Sequence, residues 1–241
     1  DKTRTKKDTC QDFDVSGNSR VWHDNDGMFR VASAATASGQ YSVSVFLDST
    51  HVQGSPLIKT VTSGFADVLR SFIVGDGATF LEAGDDGFFT VHTRDSFGNA
   101  MDKLFVVEAK IEGKQSTTGI TQLSTRSTMN VRYLVTLAGD YTLDLTIDAT
   151  VFPGSPFALL VEPGETSYTA CFAEGEALTQ AVAARFGTFS ITARDVYGNR
   201  RTVGGDDIQI AITGESLVLG TIQDLNNGTY VGSYQISIAG V

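Results

Sequence analysis

The chain has 241 residues and a formal net charge of −10. So acidic a chain repels nucleic-acid phosphates and anionic lipid, and neither is expected as a partner. Apolar residues make up 41%, enough for real cores, while 25 glycines and short runs of Val, Ile, Thr, Phe and Tyr favour strands and tight turns over helices.

In chain order, the lysine-rich start (Lys2, Arg4, Lys6 and Lys7) reads as a solvated loop. Asp26-Gly27-Met28-Phe29 is a hairpin turn running into a strand. Gly54-Ser55-Pro56 precedes another strand, because proline has no N–H to give a central ladder. From residue 64 onward the period-two alternation that puts one face in a core and one in water is plain. Phe89, Val91 and Thr93 alternate in strand B. Phe105, Val107, Ala109 and Ile111 share one face of strand C, with Val106, Glu108 and Lys110 on the other. Val131, Tyr133 and Val135 alternate in strand E, and Tyr141, Leu143, Leu145 and Ile147 in strand F. Glu176 to Arg185 has helical composition, enough for a turn of helix. No apolar run approaches the roughly 18 residues of a membrane-crossing helix, so no membrane insertion is expected of this segment.

Three motifs recur on one period. Gly54-Ser55-Pro56 returns as Gly154-Ser155-Pro156, 100 positions on. Arg94-Asp95-Ser96-Phe97-Gly98-Asn99 returns as Arg194-Asp195-Val196-Tyr197-Gly198-Asn199, and Gly39-Gln40-Tyr41-Ser42-Val43 as Gly139-Asp140-Tyr141-Thr142-Leu143. In the first of these motifs' neighbours, Ala138-Gly139-Asp140-Tyr141 reads as a tyrosine corner, and Gly98 and Gly198 as turn glycines beside side-chain acceptors at Asp95 and Asp195. The expected organisation is therefore residues 1–63 as the C-terminal part of one repeat, 64–163 as a complete repeat, and 164–241 as a repeat lacking most of strand F and strand G. A piece of a longer protein is expected.

The Arg-Asp-x-x-Gly-Asn, Asp/Asn-Gly-x-Tyr/Phe, Ala-Gly-x-Tyr and Gly-Ser-Pro-Phe series resembles the filamin-type (ABP280) repeat over nearly the whole chain. Two departures stand out: Ser127-Thr128 where that family has an acidic-Gly turn, and Leu57 after Gly54-Ser55-Pro56 where Phe is usual. The resemblance implies an all-β fold of tandem immunoglobulin-like (filamin-type) antiparallel β-sandwiches and no enzyme activity. It implies protein partners bound by strand addition in the groove between strands C and D, where main-chain hydrogen bonds give affinity and alternate side chains give specificity. Carried onto this chain, that groove would use Val106, Glu108, Lys110 and Ile120 in the complete repeat, and Gln209, Ala211, Thr213 and Val218 in the next. The implied role is a cytoplasmic scaffold on an actin network or a ciliary, microtubule-associated axoneme. A cell-surface adhesion protein built from the same sandwiches is the alternative.

Little else points to chemistry. His23, His51 and His92 are scattered with no partner at metal-ligand spacing, and no catalytic, cofactor or metal site is expected. Cys10 and Cys171 imply no disulfide framework and read as free thiols of a reducing compartment. Asp24-Asn25-Asp26 resembles the calcium-binding linkers of cadherins but aligns with Leu225-Asn226-Asn227, a hairpin turn. Asp85-Asp86 and Asp206-Asp207 read as solvated turns. Asn227-Gly228-Thr229 is a glycosylation sequon that matters only in a secreted protein.

Overall fold

The computed structural model of the chain describes residues 13–14, 19–23, 28–214 and 217–237. The lysine-rich start, Cys10 and Asp24-Asn25-Asp26 lie outside them. In the first segment β1 (Phe13–Asp14), β2 (Ser19–His23) and β3 (Phe29–Ser33) form an antiparallel sheet in which Val21 stands opposite both Phe13 and Val31. β4 (Gly39–Val43) and β5 (Phe46–Leu47) follow, then β6 (Thr50–His51) and β7 (Leu57–Val61). β5 and β6 meet through Asp48 and Ser49, both at positive φ (48° and 66°). That is the backbone twist a two-residue hairpin requires. Asp148 and Ala149 repeat it at φ 47° and 61°.

The middle segment builds a complete sandwich. Its elements are β8 (Phe72–Val74), a 3-10 turn (Asp76–Ala78), β9 (Phe80–Glu82), β10 (Asp86–His92), β11 (Val107–Glu112), β12 (Thr117–Thr118), β13 (Ile120–Thr125), β14 (Thr128–Leu134), β15 (Gly139–Ile147), β16 (Thr150–Val151) and β17 (Phe157–Glu162). One sheet has the order β13-β14-β10-β8. The facing sheet has the order β12-β11-β15-β17-β9, with β16 against β15. The expected inward residues are the ones that meet between the sheets. Phe89, Val91, Val131 and Val135 come from one side and Ala109, Ile111, Leu143 and Leu145 from the other, all without solvent exposure. Each such Val, Leu, Ile or Phe side chain contributes roughly 1.5–3 kcal/mol of transfer free energy. The Tyr141 hydroxyl donates to the Leu137 carbonyl at 2.7 Å, closing the expected tyrosine corner, and Tyr41 does the same to Ala37. This is the immunoglobulin-like sandwich.

The last segment repeats half of that plan. β18 (Phe172–Glu174), a 3-10 turn (Glu176–Leu178), β19 (Phe186–Thr192), β20 (Ala211–Ile212), β21 (Val218–Leu219), β22 (Thr221–Asp224) and β23 (Thr229–Gln235) follow in order. The sheet β18-β19-β23-β22 matches β8-β10-β14-β13, and the pair β20-β21 matches β11-β12. The helical composition after Gly175 yields only the short turn at Glu176–Leu178. A groove of about 350 Å³ lined by Leu178, Phe189, Ile191, Ile210, Ile212 and Tyr234 lies where β15 fills the middle unit.

Asp85 and Asp86 are exposed, as solvated turn residues are, whereas Asp206 is engaged. Asp86 opens β10 and meets Arg132 at 2.5 Å, an exposed pair contributing about 0–1 kcal/mol. Asp206 accepts the hydroxyl of fully buried Tyr230 at 2.6 Å, while its N–H donates to the same oxygen at 3.1 Å. A buried phenol needs a partner, and Asp206 supplies it.

Candidate functional site

Strand C of the middle unit is β11. Val107, Ala109 and Ile111 face the core, which leaves Glu108 and Lys110 exposed on the outer face. Val106 lies just before the strand and is also exposed. Its main chain is tied to the β15–β16 turn: Asp148 N–H donates to the Val106 carbonyl at 2.9 Å, and Val106 N–H donates to Asp148 Oδ1 at 2.8 Å. Antiparallel ladders alternate, so Val107, Ala109 and Ile111 aim their main-chain groups at the opposite edge. Along that edge β12 pairs Thr118 with Lys110 and Thr117 with Ile111, and Gly119 N–H donates to the Ala109 carbonyl at 2.9 Å. The edge is thus covered from Ala109 onward by β12, and Val107 before it is buried.

The four residues expected to line the groove are spread around this corner. Glu108 and Lys110 share the outer face of β11. Ile120 begins β13, which has crossed to the other sheet and stands opposite Arg132; its side chain is 74% exposed. In the last segment Gln209, Ala211 and Thr213 are exposed, and half-buried Val218 sits on β21 opposite Ile212. Gly220 N–H donates to the Ile210 carbonyl at 3.0 Å, as Gly119 does to Ala109. That register makes Gln209 and Ala211 the counterparts of Glu108 and Lys110. Val218 is the counterpart of Thr117, and Thr221 that of Ile120. The outer face of the second edge has therefore lost both charges of the first.

The recurring turn makes the side-chain contacts expected of Asp95 and others, at its Asn, that reach beyond the turn. Asp95 is buried, with Oδ2 accepting from Gly64 N–H at 2.8 Å and Oδ1 from Phe97 and Asn99 N–H at 3.0 and 2.9 Å. Burial alone would raise its pKa; the Gly64 hydrogen bond, then those of Asn99 and Phe97, outweigh it and hold the carboxyl at about 2. The Asn99 carboxamide leaves its own unit: Nδ2 donates to the Thr36 carbonyl at 2.7 Å and Oδ1 accepts from Ser38 N–H at 2.9 Å. Asn199 does the same to Thr136 and Ala138, at 2.7 and 2.9 Å. The available signal was that the motif ends in Asn both times, although the turn itself needs only the Asp and the Gly.

Among the described residues no three His, Cys, Asp or Glu side chains gather as metal ligands, and no helix is long and apolar enough to cross a membrane. His92 stacks on Phe72 with ring centroids 4.8 Å apart. Cys171 is half-buried, and its Sγ accepts from Arg194 N–H at 3.4 Å, the place Ser71 takes beside Arg94.

Comparison with known proteins agrees with this architecture. The model of the Filamin/ABP280 repeat matches residues 66–158. Filamin-A of Drosophila melanogaster is 29% identical over 158 residues, covering 64% of this chain. Filamin-C of Mus musculus is 27% identical over 213 residues, covering 86%. The chain spans 7% of the length of each of these relatives. Among solved structures, the Escherichia coli adhesin FdeC superposes with a TM-score of 0.66 over 92% of this chain and 74% of its own, at 19% identity, a likeness of fold alone.

Proposed function

We propose, on the premise that residues 66–158 belong to the Filamin/ABP280 repeat family, that the chain is a scaffold segment of a larger cytoskeleton-associated protein. Such repeats are structural, non-catalytic interaction domains. The units are 1–63, 64–163 and 164–241, the first and last being parts of repeats. Partners add a strand along β11 or β20, against Val106, Glu108, Lys110 and Ile120 or against Gln209, Ala211, Thr213 and Val218. The observation that carries this reading is β11, whose inner face is anchored in the core while Glu108 and Lys110 on its outer face are exposed. The partner is an actin-network or microtubule-associated protein in the cytoplasm.

The test is cross-linking mass spectrometry on the whole protein in native extract, reading links from exposed Lys103, Lys110 and Lys114 around strand C. Links to actin, tubulin or a cytosolic tail peptide support the reading. Links only to surface glycoproteins overturn it in favour of cell-surface adhesion. One observation favours that second reading: Asn227 of the sequon is exposed in a hairpin turn. A glycan on Asn227 would settle the compartment.

A further inference from the structure

We infer that the terminal Asn of the Arg-Asp-x-x-Gly-Asn turn is a clasp that fixes each unit to the one before it, so that successive units move as one stiff stem. This does not depend on any partner or compartment. The clasp uses the carboxamide fully. Asn199 Nδ2 has two N–H groups, one given to the Thr136 carbonyl and one to Asp195 Oδ2 at 2.7 Å, while Oδ1 accepts from Ala138 N–H. Asn99 Nδ2 is shared in the same way between the Thr36 carbonyl and Asp95, at 2.7 and 2.9 Å. The buried carboxylate dictates the orientation. A flipped carboxamide would set its oxygen against Asp195 and against the Thr136 carbonyl, three acceptors with no proton among them.

Further contacts restrain the same junction. The Tyr197 ring lies directly over Gly84, at the rim of the middle unit, where an added Cβ would fall 2.1 Å from Cε2. Asp195 Oδ2 also accepts from Gly164 N–H at 3.0 Å, and Arg201 Nη1 donates to the Pro163 carbonyl at 3.1 Å, so the linker itself is held by the last unit. A single contact beside a linker would leave a swivel; three separate ones restrain rotation. At the preceding junction the linker is held by buried Ser63, whose hydroxyl donates to Asp102 Oδ1 at 2.5 Å and accepts from Asp102 N–H at 3.0 Å. The same carboxamide bridge closes it.

The experiment is a spin-label distance measurement on the full chain, with both native cysteines replaced by serine and labels at exposed positions 110 and 223, in different units. The unaltered junction gives a narrow distance distribution. Asn199→Ala broadens it by about twofold, because the units then sample several relative orientations. Asn199→Asp keeps the side chain's size and guards against a folding defect in the first variant. It also broadens the distribution at neutral pH, since a carboxylate has no N–H for the Thr136 carbonyl and stands beside Asp195. A distribution as narrow as the parent's in either variant overturns the inference.

Discussion

The hydroxyl of Tyr133, in β14, donates to the carbonyl of Gly77 in the 3-10 turn that precedes β9. Both residues are buried, and Tyr234 makes the same bond to Ala177 in the last segment. Tyr133→Phe leaves the Gly77 carbonyl buried without a donor, at a cost of about 1–3 kcal/mol. Native-state hydrogen exchange of the strands around β14 checks this, and unchanged exchange would show that the carbonyl finds water instead.

The same tyrosine predicts an alkaline limit. Burial pushes its pKa up to about 12 from the ordinary 10.0. The folded state therefore keeps a proton that the unfolded chain releases first. The resulting stability is complete below pH 10 and is lost as pH rises through 12. Tyr133→Phe should be less stable near neutrality but should show a shallower decline across that window in unfolding experiments at stepped pH.

Asp95 predicts the opposite limit. Its folded pKa, about 2, lies below the ordinary 3.8, so its contribution is complete above pH 3.8 and lost as pH falls through 2. Asp95→Asn should weaken the middle unit at neutral pH. The difference from the parent chain should shrink between pH 4 and pH 2, as read by thermal unfolding at stepped pH.

Ile111 and Ile212 hold equivalent places in strand C, but Ile111 is fully buried and Ile212 only half-buried. Ile111→Ala should cost about 2–5 kcal/mol. Ile212→Ala should cost about half as much, because less apolar surface leaves water there. Hydrogen exchange resolves the units separately, as a single unfolding curve for several units does not.

Much of this fold is legible in the sequence because its cause is local. Alternation along Val131, Tyr133 and Val135 reflects the pleat of one strand, and the Tyr141 corner closes within five residues. What escapes is set by distant partners. The turn at Asp76–Ala78 has no helical composition and is held by Tyr133, 56 residues on. Asp206 looks like a solvated turn residue until Tyr230 arrives 24 residues later. Asn99 and Asn199 are hidden differently: the recurrence marks the Asn, but their carbonyl partners lie 63 residues upstream, outside the motif. The corner at strand C is intermediate. Its alternation is plain, but the passage of the chain from β12 in one sheet to β13 in the other is decided by packing, and it scatters Val106 and Ile120 around the edge.

β9 and β17 run parallel, Phe80 beside Leu160 and Glu82 beside Glu162, with Leu160 N–H donating to the Thr79 carbonyl and Ala83 N–H to the Glu162 carbonyl. These strands lie near the two ends of the middle unit, and tension applied through its neighbours pulls them past each other lengthwise. Every bond of the ladder then carries load at once, where an antiparallel pair pulled from one end would peel bond by bond. The unit is thereby built to bear stretching along the stem better than prying across it.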